Sequence, residues 1–194
     1  SNNSKIDKLR LSKKQSNLDS YVNRCSNCEE SENKISFLLD HQTSNPLLLF
    51  IAESSTDRKD KESDLFDGKA GKLFDKILLA IGLSREEDIS ICSLNLNSLN
   101  RQIDSVNYRM NACIHNFKCQ IDLIKPKLIV ALGRVAGNIL LDIEKPLKDM
   151  RLKSYSFNSF PLVITYHPAD LLQNSDLKPN AWTDFKNIKS IIKN

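Results

Sequence analysis

The chain has 194 residues, 40% of them hydrophobic and 27% charged, with a formal net charge of +4. That length and apolar content suit one globular domain with its own core and argue against a disordered chain. No apolar run reaches the length of a membrane span and no secretory signal pattern opens the chain, so the expected setting is the cytoplasm, without a membrane partner.

Residues 1–17, SNNSKIDKLRLSKKQSN, are rich in Ser, Asn and Lys and read as a flexible basic tail, which leaves 18–194 as a single domain. A short amphipathic helix is expected around Leu18 to Arg24. Cys25-Ser-Asn-Cys28 is the only tight pair among five cysteines. In a reducing compartment such a pair points to a metal or cluster site more than to a disulfide. The run NPLLLFIA (45–52), bounded by turn residues, reads as a strand buried on both faces. STDRKDKESD (55–64) is a charged loop. GKLFDKILLAIGL (71–83) spaces Leu73, Ile77, Leu78 and Ile81 at helical intervals, with Gly82 as a stop. ISICSL (89–94) is a second strand. Met110, Cys113, Ile114, Phe117, Ile121 and Ile124 form one helical stripe. KLIVAL (127–132) is another buried strand; Gly133 ends it, and a helix runs to about Leu141. PLVITY (161–166) is the last main strand, and a helix from Trp182 to Ile192 closes the chain, with Trp182 read as core.

Strands alternating with helices predict an α/β fold: a three-layer α/β/α domain around a central, mainly parallel sheet of about four strands. In such sheets ligands bind beyond the carboxyl ends of the strands. Glu53, Cys92 or Ser93, Gly133 and His167 all fall at such ends. Position alone does not make His167 a site residue, since a histidine after a strand is more often a capped or solvated loop residue. Lys69 and Lys72 stand near a helix start, where the dipole disfavours cations unless a phosphate is bridged.

Several stretches together carry a family resemblance. DGKAGKLFDKILLAIGL (67–83), QIDLIKPKLIVALGRVAGNILL (120–141) and YHPADLLQNSDLKPNAWTDFKNIKSI (166–191) resemble the family 4 uracil-DNA glycosylases in order and spacing, from Cys25 to the end of the chain. The resemblance rests on strand–Glu, Phe-x-Gly-x-Ala-Gly (66–71), Ala-Leu-Gly-Arg-Val-Ala (131–136) and His-Pro-Ala (167–169) taken jointly. It implies the glycosylase fold, and DNA carrying uracil or another deaminated base, single- or double-stranded, as partner of a monomeric protein. It also implies roles. Glu53 assists the attacking water or the sugar cation, and His167 donates to the uracil O2 as negative charge builds there. Phe66 stacks on the flipped base, and Cys92 or Ser93 takes the position that reads its edge. Lys69, Gly71, Pro168, Ala169, Leu171 and Leu172 make up the DNA-binding set, with the two leucines wedging the minor groove. The chemistry is coherent: a base must leave the stack to be cut, and an apolar wedge fills the space it vacates. A donor placed where the oxygen gains charge acts mainly in the transition state.

The sequence also departs from the family. The family's Gly-Glu-Ala-Pro-Gly loop is here Ala52-Glu53-Ser54-Ser55-Thr56, and each added side chain crowds the approach of a base. Neither Cys92 nor Ser93 offers the paired donor and acceptor of the family's asparagine. Asp170 adds a negative charge, and Gln173 removes a positive one, beside the expected phosphates. Many family members hold a four-iron four-sulfur cluster on four cysteines. Cys25, Cys28 and Cys113 match three of them, and the fourth position falls on Leu96 or Asn97. Such clusters need four thiolates, so no cofactor is expected unless a non-standard residue, Cys92 or Cys119 among them, fills the gap. The reading is a glycosylase with weak or altered activity; the alternative is a catalytically inactive DNA- or protein-binding module on the same fold.

Overall fold

The computed structural model describes residues 35–41, 43, 46–54, 66, 68–96, 114 and 117–193. The expected tail at 1–17, the helix at 18–24, the loop at 55–64, and Cys25, Cys28 and Cys113 lie outside the described residues. One sheet holds β1 (Ile35–His41), β2 (Leu48–Ser54), β3 (Ile89–Leu96), β4 (Leu128–Leu132), β5 (Tyr155–Phe157) and β6 (Phe160–Thr165), in the order β1-β3-β2-β4-β6-β5. The helices are α1 (Gly68–Ile81), α2 (Arg85–Asp88), α3 (Arg134–Leu141), α4 (Leu147–Met150), α5 (Pro168–Gln173) and α6 (Lys178–Lys193). Residues 117–124 are helical as well.

The four strands expected to be parallel are so: β3 pairs with β2, β2 with β4, and β4 with β6, all in parallel. The sheet is wider than expected, because β1 and β5 add antiparallel edges. β5 arises from a hairpin whose two turn residues, Asn158 and Ser159, both have positive φ (49° and 69°), the requirement of a tight two-residue turn. β2 is buried along Leu48–Ala52 and β4 along Leu128–Leu132, which is why both read as continuous apolar runs rather than alternating ones.

The alternation is present but sorts apolar residues into two layers. Leu48, Phe50 and Ala52 pack with Phe74, Leu78, Phe185 and Ile188 on one face. Leu49 and Ile51 pack with Phe117, Ile121, Leu140 and Met150 on the other. Helices on both faces complete the three-layer α/β/α architecture. Helix α1 buries Gly71, Phe74, Leu78 and Ile81, a stripe at helical spacing. Helix α6 buries Ala181, Asp184, Phe185 and Ile188. Trp182, expected in the core, is 42% exposed because it lies about 100° around the helix from Ala181.

Candidate active site at the carboxyl edge of the sheet

Parallel pairing carries the ends of β2, β3, β4 and β6 to one edge. Ala52 is level with Ser93 on one side and Leu132 on the other, and Leu132 is level with Thr165. Glu53, Gly133 and Tyr166 therefore form the next row out, with His167 one residue beyond. Gly133 turns the chain from β4 into α3 at φ 90° and ψ 169°, a conformation that L side chains rarely adopt. Its Cα borders His167: a β-carbon placed there would stand 3.7 Å from the His167 Cβ.

His167 is held from both sides. Upstream, the Thr165 carbonyl accepts a hydrogen bond from Gly133 N–H (2.8 Å). Downstream, His167 is the N-cap of α5, with Pro168 next. The Ala169 N–H donates to His167 Nδ1 at 3.1 Å. That bond occupies the Nδ1 lone pair and so assigns the proton of the neutral ring to Nε2. Nε2 is buried and has no hydrogen-bond partner among the described residues. Burial lowers the His167 pKa below its ordinary value, with the Asp170 carboxylate pulling the other way. The arrangement is a neutral imidazole whose N–H donor is in place and unused.

Beside it stands Phe66. Its ring is nearly parallel to the imidazole (16°, centroids 5.7 Å apart) and stacks on Phe74 at 4.4 Å. The Arg85 guanidinium lies 5.7 Å from the Phe66 ring centre and 5.5 Å from that of Phe74, tied by its ion pair to Asp75. Gly71 sets the position of Phe66: a β-carbon there would overlap the Phe66 carbonyl, so only glycine allows this approach. Phe74 and Arg85 were absent from the sequence-based site. Phe74 shows the helical spacing of Leu78 and Ile81, whereas no local pattern points to Arg85.

The remaining expected residues divide. Glu53 is exposed at the end of β2, on the same edge as His167. The two strands are not adjacent, as had been expected: β4 lies between them, which at about 4.8 Å per strand separates their axes by about 10 Å. Ser93 and Cys92 part company. Ser93 is level with Ala52, whose face also holds Phe66, while Cys92 packs in the opposite layer with Phe117 and Ile121. Ser93 is therefore the one that shares the face of Phe66. Leu171, expected as half of a wedge, is 2% exposed and packs with Tyr166 and Ala181, whereas Leu172 is 44% exposed. Successive residues of one helical turn point about 100° apart, so only one of the two reaches solvent. Gly71, assigned to DNA, is buried and serves the Phe66 contact instead. Lys69 is exposed in the first turn of α1; Pro168 is buried and Ala169 half-buried.

Among the described residues no group of three or more His, Cys, Asp or Glu side chains is arranged to hold a metal ion. Cys92 is 1% exposed within an apolar layer, and Cys119 is half-buried on the helical segment 117–124. These two do not supply a cluster-binding set, and the chemistry of the edge needs none.

Fold and edge together define a parallel-sheet α/β protein built around a neutral histidine donor next to an aromatic ring, at the place where such sheets bind ligands. The family model of the Uracil DNA glycosylase superfamily matches residues 40–186. The chain belongs to that superfamily. The Type-4 uracil-DNA glycosylase of Thermotoga maritima is 28% identical over 176 residues, covering 89% of this chain and 91% of that protein. That of Sulfurisphaera tokodaii is 30% identical over 153 residues, covering 74% and 69%. That of Saccharolobus solfataricus is 29% identical over 181 residues, covering 88% and 83%. No helix among the described residues is long and apolar enough to cross a membrane.

Proposed function

We propose that this protein is a DNA glycosylase that takes uracil or another deaminated base out of DNA and hydrolyses its N-glycosidic bond, with weak or altered activity. The reading treats residues 18–194 as one domain acting as a monomer. The observation that carries it is the His167 Nε2–H, buried, unpartnered among the described residues, and held by the α5 cap.

In this reading the bond from the sugar C1′ to the base breaks, and its electron pair moves into the base and onto a ring carbonyl oxygen. His167 Nε2–H donates to that oxygen. A neutral donor suits the task, because it strengthens as the oxygen gains charge without giving up its proton. Glu53 favours the cationic sugar and accepts a proton from the water that forms the new C1′–O bond. Phe66 offers a ring plane close to that of the imidazole, so a flat base resting on it can turn an edge toward His167. Leu172 is the exposed residue that can fill the space left in the duplex.

The test is incubation of purified protein with duplex and single-stranded oligonucleotides bearing uracil, hypoxanthine or xanthine, scoring abasic sites by alkaline cleavage. Abasic sites on at least one base are expected, and their absence on every base refutes the reading. A second reading, an inactive DNA- or protein-binding module, draws on Ser93, a lone hydroxyl on the Phe66 face where the family places an amide. It predicts DNA binding without abasic sites in the same experiment.

A further inference from the structure

Asp184 is 1% exposed, on the face of α6 that otherwise buries Ala181, Phe185 and Ile188. Arg151, just beyond α4, meets it with two bonds: Nε donates to Oδ2 at 2.7 Å and Nη2 to Oδ1 at 2.9 Å. Nη2 also donates to the Asn180 carbonyl (2.8 Å). A buried pair of this kind is weak as a source of stability, because desolvation offsets most of the attraction. Its geometry points elsewhere. The Thr165 hydroxyl donates to Asp184 Oδ2 at 2.7 Å, and Thr165 is fully buried. Arg151 Nη1 donates to the Tyr166 hydroxyl at 3.2 Å, with the guanidinium 4.6 Å from the centre of that ring. The pair thus grips residues 165 and 166, the two that lead into His167, through their side chains.

We propose that the Arg151–Asp184 pair, acting through Thr165 and Tyr166, positions His167 for its substrate and is a specific requirement of turnover rather than of folding. None of these four residues touches the ring, so they are positioning residues. The inference rests on the glycosylase reading of His167. It explains why a charged pair occupies a place that apolar side chains would fill at no loss: the α5 cap holds His167 from downstream, but β6 ends at Thr165, and beyond that point only the side chains of residues 165 and 166 anchor the approach. A catalytic donor displaced by about 1 Å can cost as much as a hundredfold in rate.

The experiment compares the wild type with Thr165→Val, Thr165→Ser and Tyr166→Phe under single-turnover and steady-state conditions on the best deaminated substrate. In parallel the His167 imidazole is titrated by NMR, with its signals assigned by their loss in His167→Asn. Thr165→Val keeps the shape and loses the hydroxyl. It is expected to lower kcat about tenfold or more, leave KM within about twofold, and move the His167 titration toward the ordinary value. Thr165→Ser should restore both. Tyr166→Phe, which keeps the ring and leaves Asp184 fully paired, should show the same pattern to a smaller extent, and decides the matter if Thr165→Val does not fold. Unchanged kcat and unchanged His167 titration in a folded variant overturn the inference. So does a loss of activity that Thr165→Ser fails to restore. A wild type inactive on every base refutes the glycosylase reading instead, and the NMR titration then still shows whether the pair sets the state of His167.

Discussion

Replacing His167 by asparagine and by alanine separates its two tasks, capping α5 and donating from Nε2. Asparagine is a favoured N-cap, and its Oδ1 can accept the Ala169 N–H that Nδ1 now takes. Its amide nitrogen stops short of the place that Nε2 reaches. Alanine keeps neither function. Both variants lose the ring facing Phe66, worth about 0.5–1.5 kcal/mol. Only alanine also loses the cap, worth about 1 kcal/mol. For a domain of this size that difference is about 2–4 °C in Tm, with His167→Asn the more stable. Turnover should not follow stability: both variants should be slowed about a hundredfold or more, the usual cost of removing one donor to a developing oxyanion. Single-turnover cleavage of a uracil duplex and thermal unfolding by circular dichroism measure the two effects on the same preparations. If His167→Asn recovers the rate along with the stability, the histidine is only a helix cap and the donor argument is wrong.

Leu171→Ala should cost about 2–5 kcal/mol of stability, as a cavity under α1 and α6 does, whereas Leu172→Ala should stay within about 0.5 kcal/mol and instead weaken duplex binding; urea titration and fluorescence anisotropy check the pair, and the reverse assignment contradicts the burial argument. Gly71→Ala forces a β-carbon onto the Phe66 carbonyl, so it should destabilise by about 1–3 kcal/mol and slow base excision with it; a neutral result in urea melts refutes the packing reading. Stability should also depend on pH through His167. Burial holds its folded pKa below the ordinary value of about 6.5, so in mild acid the unfolded chain takes up the proton first. The contribution is then complete above about pH 6.5 and shrinks as pH falls toward the folded pKa. His167→Asn lacks it. Urea melts between about pH 7.5 and 5 should therefore show a steeper acid loss in the wild type, and parallel curves for the two proteins would count against it.

Periodicity and punctuation along the chain were enough to place the parallel core. The apolar runs at 45–52 and 127–132 can be continuous only if both faces are covered, and covered strands in this alternation form a parallel sheet. That in turn located the edge where Glu53, Gly133 and His167 stand, and the resemblance at 66–71 and 167–169 supplied their roles. Other features depended on contacts across the fold. Residues 171 and 172 are both leucine, and only the packing of α5 on α1 and α6 buries one and exposes the other. Cys92 and Ser93 differ by one step in a period of two, and it was the register with Ala52 that put Ser93 on the face of Phe66. Asp184 looks like any polar helix residue until Arg151, 33 positions away, is brought against it. Burial of a polar group becomes tolerable only once its partner arrives, and that partner is chosen by the path of the backbone, which no local window of sequence contains.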